Sequence, residues 1–327
     1  MAKKNSTKTL GIVLVVLLGI FFLVQLRTKK KESTLNRDLV RVDTAKVTAV
    51  YLYPQAEKGK ELVFRKTDKG WKISDGKTEA PVETGTMKNL LSSVMQIRPK
   101  QLVARGKDKW KEYSVTDSAA TRLKVMEGNK QVLDLYIGKF TVNRNNNSPY
   151  GRYGGYGGGV SGTSYVRAGN GKEVYAVDGF LAMSFNQGMK GWRDQRFLKL
   201  QKYNLQKITF TYPGDSGFVA AKDTSGHWTV NGQPADSAAM ASYLSVLPYR
   251  RYSSFVDGYT PPAQADYQIM IEGKNMSPVV IKAFRDEKNH FVMHSSQNPE
   301  SWFADKDSSI FKLLFVPRSK LLTGEKK

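Results

Sequence analysis

The chain has no cysteine among its 327 residues. This excludes a lipoprotein anchor, which needs an acylated cysteine, and it suits an exported body that avoids unwanted disulfides. Histidine is scarce, at three residues, so a catalytic triad has little choice of base. Acidic residues are outnumbered: 29 Asp and Glu stand against 51 Lys and Arg, for a net charge of +22. Nucleic-acid signatures are missing as well. There is no zinc-finger spacing, no RRM-type aromatic motif and no recognition helix with clustered Arg. The basic balance points instead to anionic headgroups, anionic glycans or an acidic partner.

Long apolar runs are also few, and the one that is present dominates the reading. Leu10–Leu26, LGIVLVVLLGIFFLVQL, carries no charge; Lys3, Lys4 and Lys8 precede it, and Arg27, Lys29, Lys30 and Lys31 follow it. At about 1.5 Å per residue, with snorkelling flanks, such a run just crosses a hydrocarbon core of roughly 30 Å. No small-residue cleavage site follows it, because the run ends in VQLRTKKK, so an uncleaved transmembrane anchor over 10–26 is expected. A cytoplasmic tail (1–9) is expected before it and a linker (27–45) after it. The flanking cations balance, so charge alone does not orient the anchor.

Residues 1–41 hold nine Lys and Arg and two Asp and Glu, which leaves +15 spread over the body. At 40% hydrophobic and 11% aromatic, the chain has enough apolar surface to fold.

The body is written twice. KVTAVYLYP, a turn and ELVFRKTDKGWKIS match QKITFTYP, a turn and GFVAAKDTSGHWTV, so Trp71 corresponds to Trp228. Both stretches alternate with period two, the signature of strands. A helix follows each: Met87, Leu90, Leu91 and Val94 form one apolar face, and Met240, Tyr243, Leu244 and Leu247 form the other. Asp236 is a candidate N-cap for the second. RLKVMEGNKQVLDLYIG then matches DYQIMIEGKNMSPVVIKAF as strand, Glu-Gly turn, strand. TSYVRAGNGKEVYAVD matches HFVMHSSQNPESWFAD, pairing Tyr175 with Trp302 and Asp178 with Asp305, and each copy closes on an apolar helical segment. The expected fold class is α+β: two tandem, duplicated units of mainly antiparallel strands with amphipathic helices, over 46–190 and 191–327. The matched Trp, Tyr and Leu residues are expected in the cores, and GMKGWRDQRF marks the link.

Chemistry is thin. GDSG at Gly214–Gly217 resembles a serine-protease nucleophile motif but sits between two alternating strands, as a hairpin tip does. His290 and His294 fall on one strand face, too far apart for easy joint ligation, with no further ligands nearby. Tyr150–Gly162, YGRYGGYGGGVSG, lacks the G-K-[ST] end of a phosphate loop. The matched spacing shrinks across it, from Glu127–Glu272 to Glu173–Glu300, which marks an insertion of about 20 residues, a length usually disordered or functional. As a binding loop it would offer Tyr150, Arg152, Tyr153 and Tyr156 as partner contacts on glycine hinges. No catalytic, cofactor-binding or metal-ligating residues are expected.

The order of blocks — a short N-terminal anchor, WKIS with an amphipathic LL helix, KEYSVTDSAATRLKV, LYIG, SYVRAGNGKEVYAVD and WRDQRF — resembles bacterial membrane-anchored proteins carrying the domain of unknown function 4340. The resemblance covers most of the body. It departs at Tyr113-Ser114-Val115, where Tyr-Gly-Leu is often found. It implies a periplasm-facing protein of the bacterial inner membrane, associated with gliding-type ABC transporter subunits, and no activity or catalytic residue. The expected function is a non-enzymatic, single-pass accessory or scaffold subunit of an ABC-type transport complex. Its expected partners are the membrane, a permease or related membrane subunit, and anionic glycan or lipid headgroups, with no nucleic acid. The alternatives are a cell-envelope glycan-binding module and a hydrolase whose site is unreadable.

Overall fold

The computed structural model describes residues 14, 16–21, 39–144 and 160–322. Among the described residues no helix is long and apolar enough to cross a membrane; most of the 10–26 run lies outside them.

The first part of the body runs β1 (Val47–Tyr53), β2 (Leu62–Thr67), β3 (Gly70–Ser74), β4 (Glu79–Val82), α1 (Thr84–Met95), β5 (Pro99–Ala104), β6 (Thr121–Glu127), β7 (Lys130–Arg144), β8 (Val160–Ala168), β9 (Val174–Asp178) and α2 (Leu181–Phe185). A short helix, α3 (Met189–Trp192), and β10 (Arg196–Lys199) follow. Then come β11 (Leu205–Thr211), β12 (Phe218–Lys222), β13 (Trp228–Val230), β14 (Gln233–Pro234), α4 (Ser237–Val246), β15 (Tyr249–Arg251), β16 (Tyr267–Gly273), β17 (Val279–Arg285), β18 (Phe291–Ser295), β19 (Trp302–Asp305) and α5 (Ser309–Leu314). The fold is α+β and mostly β, of antiparallel sheets with few helices.

One sheet has the order β4-β3-β2-β1-β6-β7-β8-β9-β5, and another has β14-β13-β12-β11-β16-β17-β18-β19. The second order repeats the first strand for strand over eight positions. The ninth position differs, because β15 pairs with β10 in a two-stranded sheet of its own. The chain forms two compact units, one drawing on Met1–Val47 and Ser92–Asn186, the other on Thr48–Leu91 and Gln187–Lys327.

The helix faces follow the 3.6-residue period. Met87, Leu90, Leu91 and Val94 are buried, and so are Met240, Tyr243, Leu244 and Leu247. Each such side chain contributes about 1.5–3 kcal/mol by leaving water. Asp236 caps α4, accepting the Ala239 N–H at 2.8 Å. The second unit's core is rich in rings: Phe210 stacks on Phe218 at 4.2 Å, and Tyr243 donates its hydroxyl to the Leu314 carbonyl at 3.0 Å.

Two matched pairs depart from expectation. Trp71 and Trp228 occupy equivalent places, opposite Lys66 and Lys222, but both are half-buried rather than core. Each lies beside a hairpin turn, at the start of the third strand of its copy rather than at the end of the second. Asp178 and Asp305 also differ. Asp178 is exposed and pairs with Lys100 at 2.6 Å. Asp305 is buried, and its carboxylate accepts the Ile310 and Phe311 N–H groups at 3.1 and 2.7 Å, tying down the start of α5.

Candidate functional site

β7 is 15 residues long, where its counterpart β17 has seven, and β8 has nine where β18 has five. The extra length forms a hairpin arm whose last register pair is Arg144 with Val160. The partner-contact residues Tyr150, Arg152, Tyr153 and Tyr156 fall in the connection this arm carries, outside the described residues. The described part of the candidate site is therefore the arm's base, which belongs wholly to the first unit.

The base is locked on one face by Arg167. On β8 it lies directly opposite Tyr136 on β7, and Tyr136 lies opposite Arg122 on β6. The Arg167 guanidinium carbon is 3.8 Å from the centroids of both the Tyr136 and the Trp110 rings, sandwiched between them. Its Nε–H donates to the Val115 carbonyl at 3.0 Å, one terminal nitrogen donates to the Gly169 carbonyl at 3.1 Å, and the other donates to Asp117 at 2.6 Å. At 1% exposure such a cation persists because its donors are used and its faces are covered by aromatic rings. Burial pushes the Tyr136 phenol above its ordinary range. Arg122 makes a two-point pair with Asp134, at 2.8 and 2.7 Å.

The segment that supplies Trp110, Val115 and Asp117 also sets the arm's bend. Lys139 N–H donates to the Tyr113 carbonyl at 3.1 Å, and the β7–β8 register shifts between Ile137 and Phe140. Gly138 lies at that shift, and a Cβ there would collide with the Tyr113 carbonyl oxygen. Ser114 takes φ 56°, in the left-handed region that favours glycine.

The arm's other face is held by α2. Ser164 Oγ donates to the Gly179 carbonyl at 2.6 Å and accepts the Leu181 N–H at 2.9 Å. Phe180 packs edge-on to Phe140 with centroids 5.4 Å apart, and a Cβ at Gly162 would lie 2.6 Å from its ring. Beyond these locks Val142 and Val160 are 50% and 61% exposed, and Met183 of α2 is 62% exposed. The arrangement is a hairpin stem whose far end exposes the apolar side chains of Val142 and Val160.

The other sequence candidates are occupied by local structure. Ser216 of the GDSG stretch donates to the Pro213 carbonyl at 2.8 Å inside its own hairpin turn. His290 precedes β18 and faces Asp286 at 3.3 Å, while the His294 ring lies against Trp302 with centroids 4.3 Å apart, tilted by 32°. Burial pulls the His294 pKa down. Among the described residues no group of three or more His, Asp or Glu is placed to hold a metal ion. In the WRDQRF block, Trp192 is buried edge-on to Phe64 at 5.4 Å. Arg193 lies over the Phe255 ring at 3.8 Å and pairs with Asp257 at 2.7 Å. Asp194 accepts both the Arg196 backbone N–H and its guanidinium at 2.9 Å.

The residues missed by sequence reasoning are Arg167, Trp110 and Gly138. One signal was present: SYVRAGNG carries a cation within an apolar strand, directly before a glycine turn. No curated protein and no solved structure matches the chain. The family described as Domain of unknown function (DUF4340) matches residues 74–269, more than half of the chain and every residue of the hairpin base, and the chain belongs to that family.

Proposed function

We propose that this protein is a non-enzymatic, single-pass accessory or scaffold subunit of an ABC-type transport complex. Its anchor over 10–26 lies in the bacterial inner membrane, and its duplicated body stands in the periplasm. One observation carries the membrane part. Within the apolar run, residues 14 and 16–21 are helical, and Leu14, Val16, Leu17, Leu18, Ile20 and Phe21 are each 51–59% exposed. Apolar surface left in water costs about 25 cal/mol per Å², so lipid or a permease helix is the natural cover. The scaffold part is supported by the locked arm, whose 145–159 connection would carry the partner contacts Tyr150, Arg152, Tyr153 and Tyr156. The +15 of the body suits an anionic headgroup layer or an acidic partner.

Two measurements test this reading. Crosslinking in cells followed by pull-down should recover permease peptides. A C-terminal alkaline phosphatase fusion should be active, and a C-terminal fluorescent fusion that folds only in the cytoplasm should be dark. A dark phosphatase with a bright fluorescent fusion rejects the orientation, and recovery of no transporter peptide rejects the partner.

A further inference from the structure

Within the second unit, the 3-10 turn Lys202–Asn204 and the turns after β16 and β18 border an open surface pocket of about 280 Å³. Its walls are fixed through backbone contacts. Gln297 accepts the Lys199 N–H at 2.7 Å and donates to the Lys199 carbonyl at 3.1 Å. Lys274 N–H donates to the Asn204 carbonyl at 2.8 Å. Gly273 is required beneath this contact, since a Cβ there would lie 2.5 Å from the Asn204 carbonyl oxygen and 2.8 Å from the Met276 sulfur. Asn275 holds φ 54° at the turn, a conformation that Asn tolerates better than most residues.

Four uncharged polar side chains of the lining, Gln201, Asn204, Asn275 and Ser277, make no hydrogen bond among the described residues. Lys199 is the one charged group on this lining, and no carboxylate lines it. Leu200, Met276 and Pro278 add apolar surface. Next to Asn204 in the chain, Tyr203 is 88% exposed.

A ligand for such a pocket is small, uncharged and dense in paired donors and acceptors, with one modest apolar face. Each amide side chain presents a donor beside an acceptor, which complements vicinal hydroxyls and an acetamido group. The apolar patch suits the acetamido methyl, and an exposed Tyr offers a flat face for sugar C–H groups. We propose that this pocket binds an N-acetylated hexosamine unit of a saccharide. The inference is independent of the scaffold reading, because it concerns a different surface and needs no transporter.

The test is isothermal titration of the full-length protein in detergent micelles with N-acetylchitotetraose. Saturable binding is expected, unaffected by salt and little changed by Lys199→Gln. Asn204→Ala and Asn275→Gly should each weaken it about three- to tenfold, the loss of one or two hydrogen bonds. Asn275→Gly keeps the left-handed turn, so it reports on the amide even if Asn204→Ala folds poorly. No saturable heat at about 10 mM sugar, well above the weakest specific affinities, overturns the proposal. So does parental affinity in both variants. Salt-sensitive binding lost in Lys199→Gln overturns the neutral ligand class, and equal affinity for maltotetraose overturns the acetamido assignment.

Discussion

Arg167 and Tyr136 face each other across β8 and β7, and the Arg167 guanidinium lies 3.8 Å from the Tyr136 ring centroid. With Trp110 on its other side, the cation is held by shape as much as by charge. Arg167→Lys keeps the charge but loses the planar stack and the carbonyl bonds to Val115 and Gly169. It is expected to destabilise the protein by about 2–4 kcal/mol in urea unfolding. Asp117 is mostly solvent-exposed, and Asp117→Asn should cost less than about 1 kcal/mol. Equal losses in the two variants would show that the ion pair, not the stack, holds the arm.

Ser114 supplies a gain rather than a loss. A residue with a Cβ at φ 56° carries a steric cost of about 1 kcal/mol that glycine avoids, partly offset by the larger unfolded-state entropy of glycine. Ser114→Gly should therefore raise the melting temperature slightly, and Ser114→Val should lower it. A Ser114→Gly protein less stable than the parent would mean that the serine hydroxyl matters more than the backbone.

His294 gives the body a pH dependence of known sign. Its ring lies tilted against Trp302, its Nε2 lies 3.3 Å from the Pro299 carbonyl, and Lys282 stands opposite it on β17. Burial lowers its folded pKa below the ordinary 6.5, with Lys282 adding in the same direction, while the Pro299 carbonyl opposes the shift. The unfolded chain then binds more protons than the folded one in the window just below 6.5. Stability from this group is complete above that value and is lost as pH falls through the lowered folded pKa. Melting temperatures recorded between pH 7.5 and pH 5.5 (roughly the range below which carboxylates begin to titrate) should fall on acidification, and His294→Gln should flatten the slope. An unchanged slope would assign the dependence to other groups.

What the sequence made legible was periodic. Met87, Leu90, Leu91 and Val94 recur at helical spacing, and Asp236 stands where a cap must stand, so both were readable without coordinates. The short strands β5, β10 and β15 span too few residues to show a period, and their pairing was not foreseen. Arg167 was hidden for another reason. A cation at an alternating position is ordinarily solvent-facing, and only the segment around Trp110, remote in sequence, covers this one. Asp178 and Asp305 look identical in their blocks and each is followed by a helix, yet Asp178 pairs with a surface lysine while Asp305 accepts the N–H groups at the start of α5; at α2 the Leu181 N–H is taken by Ser164 instead.

The arm's connection separates folding from partner binding. The Gly/Tyr-rich stretch Tyr150–Gly162 runs into the sheet at its end, where Gly162 of β8 pairs with Val142 and packs on Phe180, so the replaceable part is 145–159. A short Gly-Ser turn in its place should leave the melting temperature almost unchanged, since closure entropy varies slowly with loop length and the locks at Arg167, Ser164 and Gly138 all lie in the base. Gly162→Val, in contrast, drives a side chain into the Phe180 ring and should cost about 1–3 kcal/mol as overpacking. If the connection is the contact surface, the turn replacement abolishes co-purification of the transporter partner while Gly162→Val, once folded, retains it. Retained co-purification after the replacement would move the contact elsewhere, with the exposed Val142, Val160 and Met183 as the next surface to alter.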